Sequence, residues 1–110
     1  MNKGKRQRLE AAGWKLGSAS EFLGLTDEET ALIELKLELA RAVREERTRR
    51  NLTQQQLGKM LGSSQSRVAK MEAADRSVSI DLLVRSLFRL GTTRRDLGRR
   101  LAAPNRRRAA

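Results

Sequence analysis

The chain has 110 residues, 24 of them Lys or Arg against 13 Asp or Glu, and contains neither Cys nor His. That length suits one domain with an extension, and the missing residue types exclude disulfides, thiol chemistry and the common zinc ligand sets, so no metal or cofactor is expected. A net charge of +11 favours a polyanionic partner, and three aromatics, Trp14, Phe22 and Phe88, are too few to stack single-stranded bases, which leaves double-stranded nucleic acid as the better partner.

Pro104 is the one proline, and the β-branched residues never alternate as in a strand, so the expected fold class is all-α. Residues 1–26 read as a basic arm and a short helical extension that turns at Gly24. The opening MNKGKRQRLEAAGW is not followed by an apolar core, and no run of about 18 apolar residues occurs anywhere. Neither a secretory signal nor a membrane span is expected, and the expected location is the cytoplasm, with the nucleoid. Thr26 and Glu29 have capping-box spacing at the head of a long helix from about Asp27 to Arg50. Along it Leu32, Leu35, Leu39 and Val43 make one apolar line, and Ile33, Leu37 and Ala40 a second. Together they cover more circumference than one buried stripe requires. Thr53 and Gln56 repeat the capping box, with Leu57, Met60 and Leu61 expected to face inward and Gly62 to end the helix. Ser64 or Ser63 caps the next helix, whose inward residues are Val68 and Met71. After the turn AADRSVS, Ser79 caps a helix with Ile80, Leu83, Val84, Leu87, Phe88 and Leu90 as its apolar residues. Thr93 and Asp96 open a last helix carrying Leu97 and Leu101, and residues 103–110 read as a disordered basic tail.

The stretch LTQQQLGKMLGSSQSRVAKME, residues 52–72, meets the demands of a helix-turn-helix. Gly58 provides the small residue for a close helix crossing, Gly62 tolerates positive φ in the turn, and the second helix begins with the polar, uncluttered Gln65, Ser66 and Arg67. On these residues, 39–102 resemble the Xre/Cro family of phage-repressor-type domains. The resemblance implies a five-helix, lambda-repressor-like DNA-binding domain, here within residues 27–102, with its helix-turn-helix at 53–72. It further implies that Gln54 binds a phosphate and that Ser64, Gln65, Ser66 and Lys70 stand on the DNA-reading side. Gln pairs with adenine and Lys reaches guanine acceptors, while Arg67 holds either a phosphate or a base. Arg47 and Glu72 match the family's internal ion pair. Many relatives carry a longer side chain where this sequence has Ser66, so the bases read are open. Ordinary solvated roles compete at Gln54 and Lys70, and the Arg-rich pieces around 94–100 and 106–108 suit a solvated face that adds salt-sensitive affinity.

The N-terminal third, GWKLGSASEFLGLTDEETALIELKL, resembles the leader of HigA-like antitoxins, regulators encoded beside small mRNA-cleaving toxins. That resemblance implies a type II antitoxin that represses its own operon and binds a small basic toxin. Trp14, Phe22, Leu32 and Leu35 are the candidate partner-binding residues, unless they fold back on the domain. The acids at residues 21–39 agree with a basic partner. A palindromic operator implies a homodimer, mated through the last two helices around Phe88, Leu90 and Leu97 or through the long helix. The rivals are a stand-alone phage- or plasmid-type repressor and a nonspecific basic nucleic-acid-binding protein. An enzyme is not expected, because the sequence offers no His, no Cys, no phosphate-binding glycine loop and no carboxylate pair in an apolar setting.

Overall fold

The computed structural model describes residues 22–103. The basic arm with Trp14 and the tail beyond Ala103 lie outside the described residues. Five helices follow: α1 (Asp27–Arg49), α2 (Gln54–Met60), α3 (Gln65–Glu72), α4 (Ile80–Arg89) and α5 (Arg94–Ala102). No strand occurs among the described residues.

Helix starts are written in capping chemistry. The Thr26 hydroxyl accepts from the Glu29 amide at 3.1 Å, and the Thr26 amide donates to the Glu29 carboxylate at 3.0 Å. Thr53 with Gln56 and Thr93 with Asp96 close the same reciprocal pair at α2 and α5. Ser79 caps α4 from one side, and Ser64, not Ser63, does so for α3. Each such cap contributes about 1 kcal/mol by satisfying amides that the helix leaves unpaired.

Four helices end alike, on a residue with positive φ: Asn51, Gly62, Ala74 and Gly91. After α2 the Gly62 amide donates to the Lys59 carbonyl and the Ser63 amide to the Gly58 carbonyl at 2.7 Å, a Schellman closure. After α3 the same two bonds run from Ala74 to Met71 and from Asp75 to Lys70. Ala74 holds φ +52 with a Cβ in place, a conformation that costs an L-residue roughly 1–2 kcal/mol.

Packing divides the chain into two compact units, with described residues 22–34 and 103 in one and Leu35–Ala102 in the other. The second unit has one core. Leu39, Ala42 and Val43 of α1 meet Leu57 of α2, Val68 and Met71 of α3, and Leu83, Leu87 and Leu90 of the α4 region. Val78 joins them from the loop before α4. It directly precedes the Ser79 cap, and Leu83 stands at the fourth helical position, the arrangement of a hydrophobic staple. Two expectations from the sequence need correction. Met60 is 38 % exposed, because Leu57 and Leu61 define the inward stripe of a helix barely two turns long and Met60 falls on its edge. Leu90 is fully buried and so cannot mate with a second copy. It continues the Leu83–Leu87 line and closes the inner face of α4, while Phe88 stays 44 % exposed.

Polar ties complete this unit. Arg100 of α5 reaches Glu38 at 3.4 Å and also Glu45, both on α1. Since α5 has no buried residue, these contacts and the half-buried Leu97 hold it in place. The Lys36 ammonium donates to the Asp75 carbonyl at 2.8 Å, fixing the turn after α3 to α1, and Arg50 donates to the Leu90 carbonyl.

Candidate nucleic-acid interface

α2 and α3 meet at a crossing that admits no side chain. A Cβ on Gly58 would lie 2.7 Å from the Ser64 carbonyl carbon, 2.9 Å from its oxygen and 3.1 Å from the Gln65 nitrogen, all of them backbone atoms. The glycine thus sets how closely the start of α3 approaches α2. Beneath, Val68 and Met71 anchor α3 in the core. Above, Gln65, Ser66, Arg67 and Lys70 are exposed. A shallow concavity at the head of the hairpin is lined by Gln55, Lys59, Ser63, Ser64 and Gln65.

Charge on this surface has one sign. Between residues 52 and 72 the cations are Lys59, Arg67 and Lys70, and the single acid is Glu72. Glu72 does not face solvent as a free charge. Arg47 of α1 donates to its two oxygens from Nε at 2.6 Å and Nη2 at 3.1 Å, with side chains only 14 % (Arg47) and 6 % (Glu72) exposed. The hydrogen bond to Glu72 holds the Arg47 guanidinium even more firmly in its charged form, against the cost of burial. Arg47 also donates from Nη1 to the Leu52 carbonyl at 2.8 Å, so one guanidinium joins α1, the start of α2 and the end of α3. A pair of this kind satisfies all the strong donors and acceptors it buries, which two charges at such depth require.

The network continues outward. Gln54 Nε2 donates to Glu72 Oε1 at 3.2 Å, and Gln65 Nε2 donates to Gln54 Oε1 at 2.7 Å. The family resemblance implies the Arg47–Glu72 pair and a phosphate contact for Gln54. Nothing in the sequence shows that Gln54, half-buried, links the ion pair to Gln65. No spacing rule connects residues 11 and 18 positions apart on different helices. Gln54 keeps a second amide hydrogen, so the bridge and a phosphate contact are compatible. Ser64 has spent its hydroxyl oxygen on the Arg67 amide at 3.2 Å and retains the hydroxyl hydrogen.

Three of the four candidate partner residues fall within the described residues. Phe22 is 45 % and Leu32 55 % exposed in the N-terminal unit, Leu35 packs against the core of the other unit, and Trp14 lies outside the described residues.

A helix with a polar, cationic start, propped on a shorter helix across a glycine contact, defines a DNA-binding protein of the helix-turn-helix class. A family model described as a helix-turn-helix domain matches residues 22–94, and the chain belongs to that family. No curated protein and no solved structure matches the chain. Among the described residues, no helix is long and apolar enough to cross a membrane, and no group of His, Cys, Asp or Glu could hold a metal ion.

Proposed function

We propose that this chain is a transcriptional regulator of the Xre/Cro kind, which reads a duplex operator in the major groove with the first turn of α3. The observation that carries this reading is the state of Gln65. One of its amide hydrogens is engaged by Gln54, which leaves its carbonyl oxygen and the other hydrogen as an acceptor beside a donor. That edge complements the N6 donor and N7 acceptor of adenine. Lys70, farther along the exposed side of α3, reaches a guanine acceptor, and Ser66 lies close beneath the bases. Arg67, Ser64 and the spare amide hydrogen of Gln54 bind phosphates and set the register. Two copies on a palindromic site place two α3 helices about one DNA turn apart. The chemistry is recognition, not catalysis, since a chain without His or Cys brings amides, hydroxyls and permanent cations to this surface.

The same reading includes an antitoxin role. In a chain of net charge +11, Asp27, Glu28 and Glu29 gather in the first turn of α1, and Phe22, Leu23 and Leu32 of the same unit are exposed. An acidic surface with apolar anchors suits a small basic toxin, with Trp14 and Phe22 as anchors. Leu35, half-buried, also packs against the core.

The DNA reading is tested by binding-site selection with Gln65→Ala/Ser66→Ala. The double variant should lose base preference and retain weak, salt-sensitive affinity for any duplex; an unchanged selected site refutes the assignment. For the partner, capture from the native cells with nuclease present should recover a stoichiometric small basic protein that is lost when Trp14 and Phe22 are replaced. Recovery of the chain alone means a stand-alone repressor.

A further inference from the structure

We infer that Glu72, clamped by Arg47, is a positioning residue that sets which edge of Gln65 is presented to DNA, and through it the base preferred at one operator position. The inference rests on the proposed role of Gln65 as a base reader.

Amide oxygen and nitrogen are alike in shape, so packing alone does not orient a glutamine side chain. A carboxylate does. A carboxylate accepts hydrogen bonds and donates none, and Arg47 donates to both oxygens of Glu72. Only the NH2 of Gln54 can therefore face it, as the 3.2 Å contact from Gln54 Nε2 to Glu72 Oε1 requires. The Gln54 oxygen is thereby turned toward Gln65, and only an NH2 can meet an oxygen. Gln65 answers with Nε2 at 2.7 Å, and its own oxygen is left as the outward acceptor. One fixed charge, seated where α1 and α3 meet, thus orders two neutral amides in sequence and ends at the exposed start of α3. Reversing either amide would set oxygen against oxygen at one of these contacts.

The consequence is a choice between purines. With its oxygen outward beside one N–H, Gln65 matches adenine; with its NH2 outward it would offer guanine's O6 and N7 two donors. An amide at position 72 removes the constraint, because it can either accept from Gln54 or donate to it. Glu72→Gln frees both glutamines to reverse together. Gln54→Met cuts the connection and leaves the Arg47–Glu72 pair in place, so it keeps the polar tie between α1 and α3.

The test is a binding-site selection on the full chain with four proteins: wild type, Gln65→Ala, Glu72→Gln and Gln54→Met. Competition binding then measures adenine against guanine at whichever position Gln65→Ala makes degenerate. Wild type should prefer adenine there by roughly tenfold or more, within the discrimination a bidentate pair supplies. In Glu72→Gln and Gln54→Met the ratio should fall to near one at that position, with preferences elsewhere in the site unchanged. Loss of a phosphate contact in Gln54→Met lowers affinity for every sequence and leaves the ratio untouched, so the ratio separates orientation from simple contact. If both variants keep the wild-type ratio where Gln65→Ala abolishes it, Gln65 reads a base without help from Glu72 and the inference is overturned. If Gln65→Ala leaves every position unchanged, the base-reading assignment itself falls, and the inference with it. Should Glu72→Gln fold poorly, Gln54→Met decides alone.

Discussion

Gly58 and Gly98 both lie inside helices, and the structure predicts opposite consequences for the same substitution. At Gly98 a Cβ meets nothing within 4 Å, so Gly98→Ala gains the intrinsic helix preference of alanine, about 1 kcal/mol at most, and meets no opposition. At Gly58 the same gain is available, but the new methyl would sit 2.7 Å from the Ser64 carbonyl carbon and 2.9 Å from its oxygen. Those are backbone atoms of the turn that starts α3, and they cannot rotate away as a side chain could. Overpacking of this kind costs about 1–3 kcal/mol, and a contact so short against main chain belongs at the upper end. Subtracting the helix gain leaves Gly58→Ala less stable by about 1–2 kcal/mol. For a domain of this size that lowers Tm by roughly 5–15 °C. The relief available to the chain is to move α3 outward from α2, which also displaces Gln65 from Gln54. Operator affinity should therefore fall further than the lost stability explains. Thermal denaturation and DNA titration below the transition measure the two effects separately. A Gly58→Ala protein as stable as wild type, with unaltered affinity, would refute the close crossing as the determinant of hairpin geometry.

Ala74→Gly should raise stability by about 0.5–1 kcal/mol in chemical denaturation, since glycine adopts φ +52 without strain and the gain is partly offset by its freer unfolded chain. Glu72→Ala strands the Arg47 guanidinium with a single carbonyl partner and should cost about 2–3 kcal/mol, somewhat below the range for fully buried pairs because Arg47 keeps some solvent contact; an unchanged Tm would mean that the pair contributes nothing to folding. Acid should destabilise the protein through its capping carboxylates. Hydrogen bonds from the Thr26 and Thr93 amides hold Glu29 and Asp96 below the ordinary carboxylate range, and Ser77 does the same for Asp75, as does the Arg49 guanidinium for Glu46. A depressed folded-state pKa gives stability that is complete above the unfolded value and lost as pH falls through the folded one, so denaturation midpoints should be level above about pH 5 and decline below about pH 4.

Much of this molecule is legible in its sequence because its helix starts and ends are local. Thr26 with Glu29, Thr53 with Gln56 and Thr93 with Asp96 act within one turn, and Gly62 and Gly91 take positive φ for reasons that lie in a few neighbouring bonds. The periodicity of Leu39, Val43, Val68, Met71, Leu83 and Leu87 likewise names a core before any contact is known. Tertiary structure decided what depends on helices meeting. Leu90 and Met60 are both apolar residues at helix ends, and which side of each helix turns inward depends on where its neighbours pack: Leu90 continues the buried Leu83–Leu87 line, while Met60 falls at the edge of the inward stripe and stays 38 % exposed. Val78 sits in a polar turn, and its burial follows from α4 docking. Gln54 shows the distinction most plainly. Composition and spacing make it a polar residue at the start of a helix, and only the family resemblance implies a phosphate contact there. Its place between Glu72 and Gln65 requires three helix termini to converge within hydrogen-bond reach, and no local rule encodes where separate helices come together.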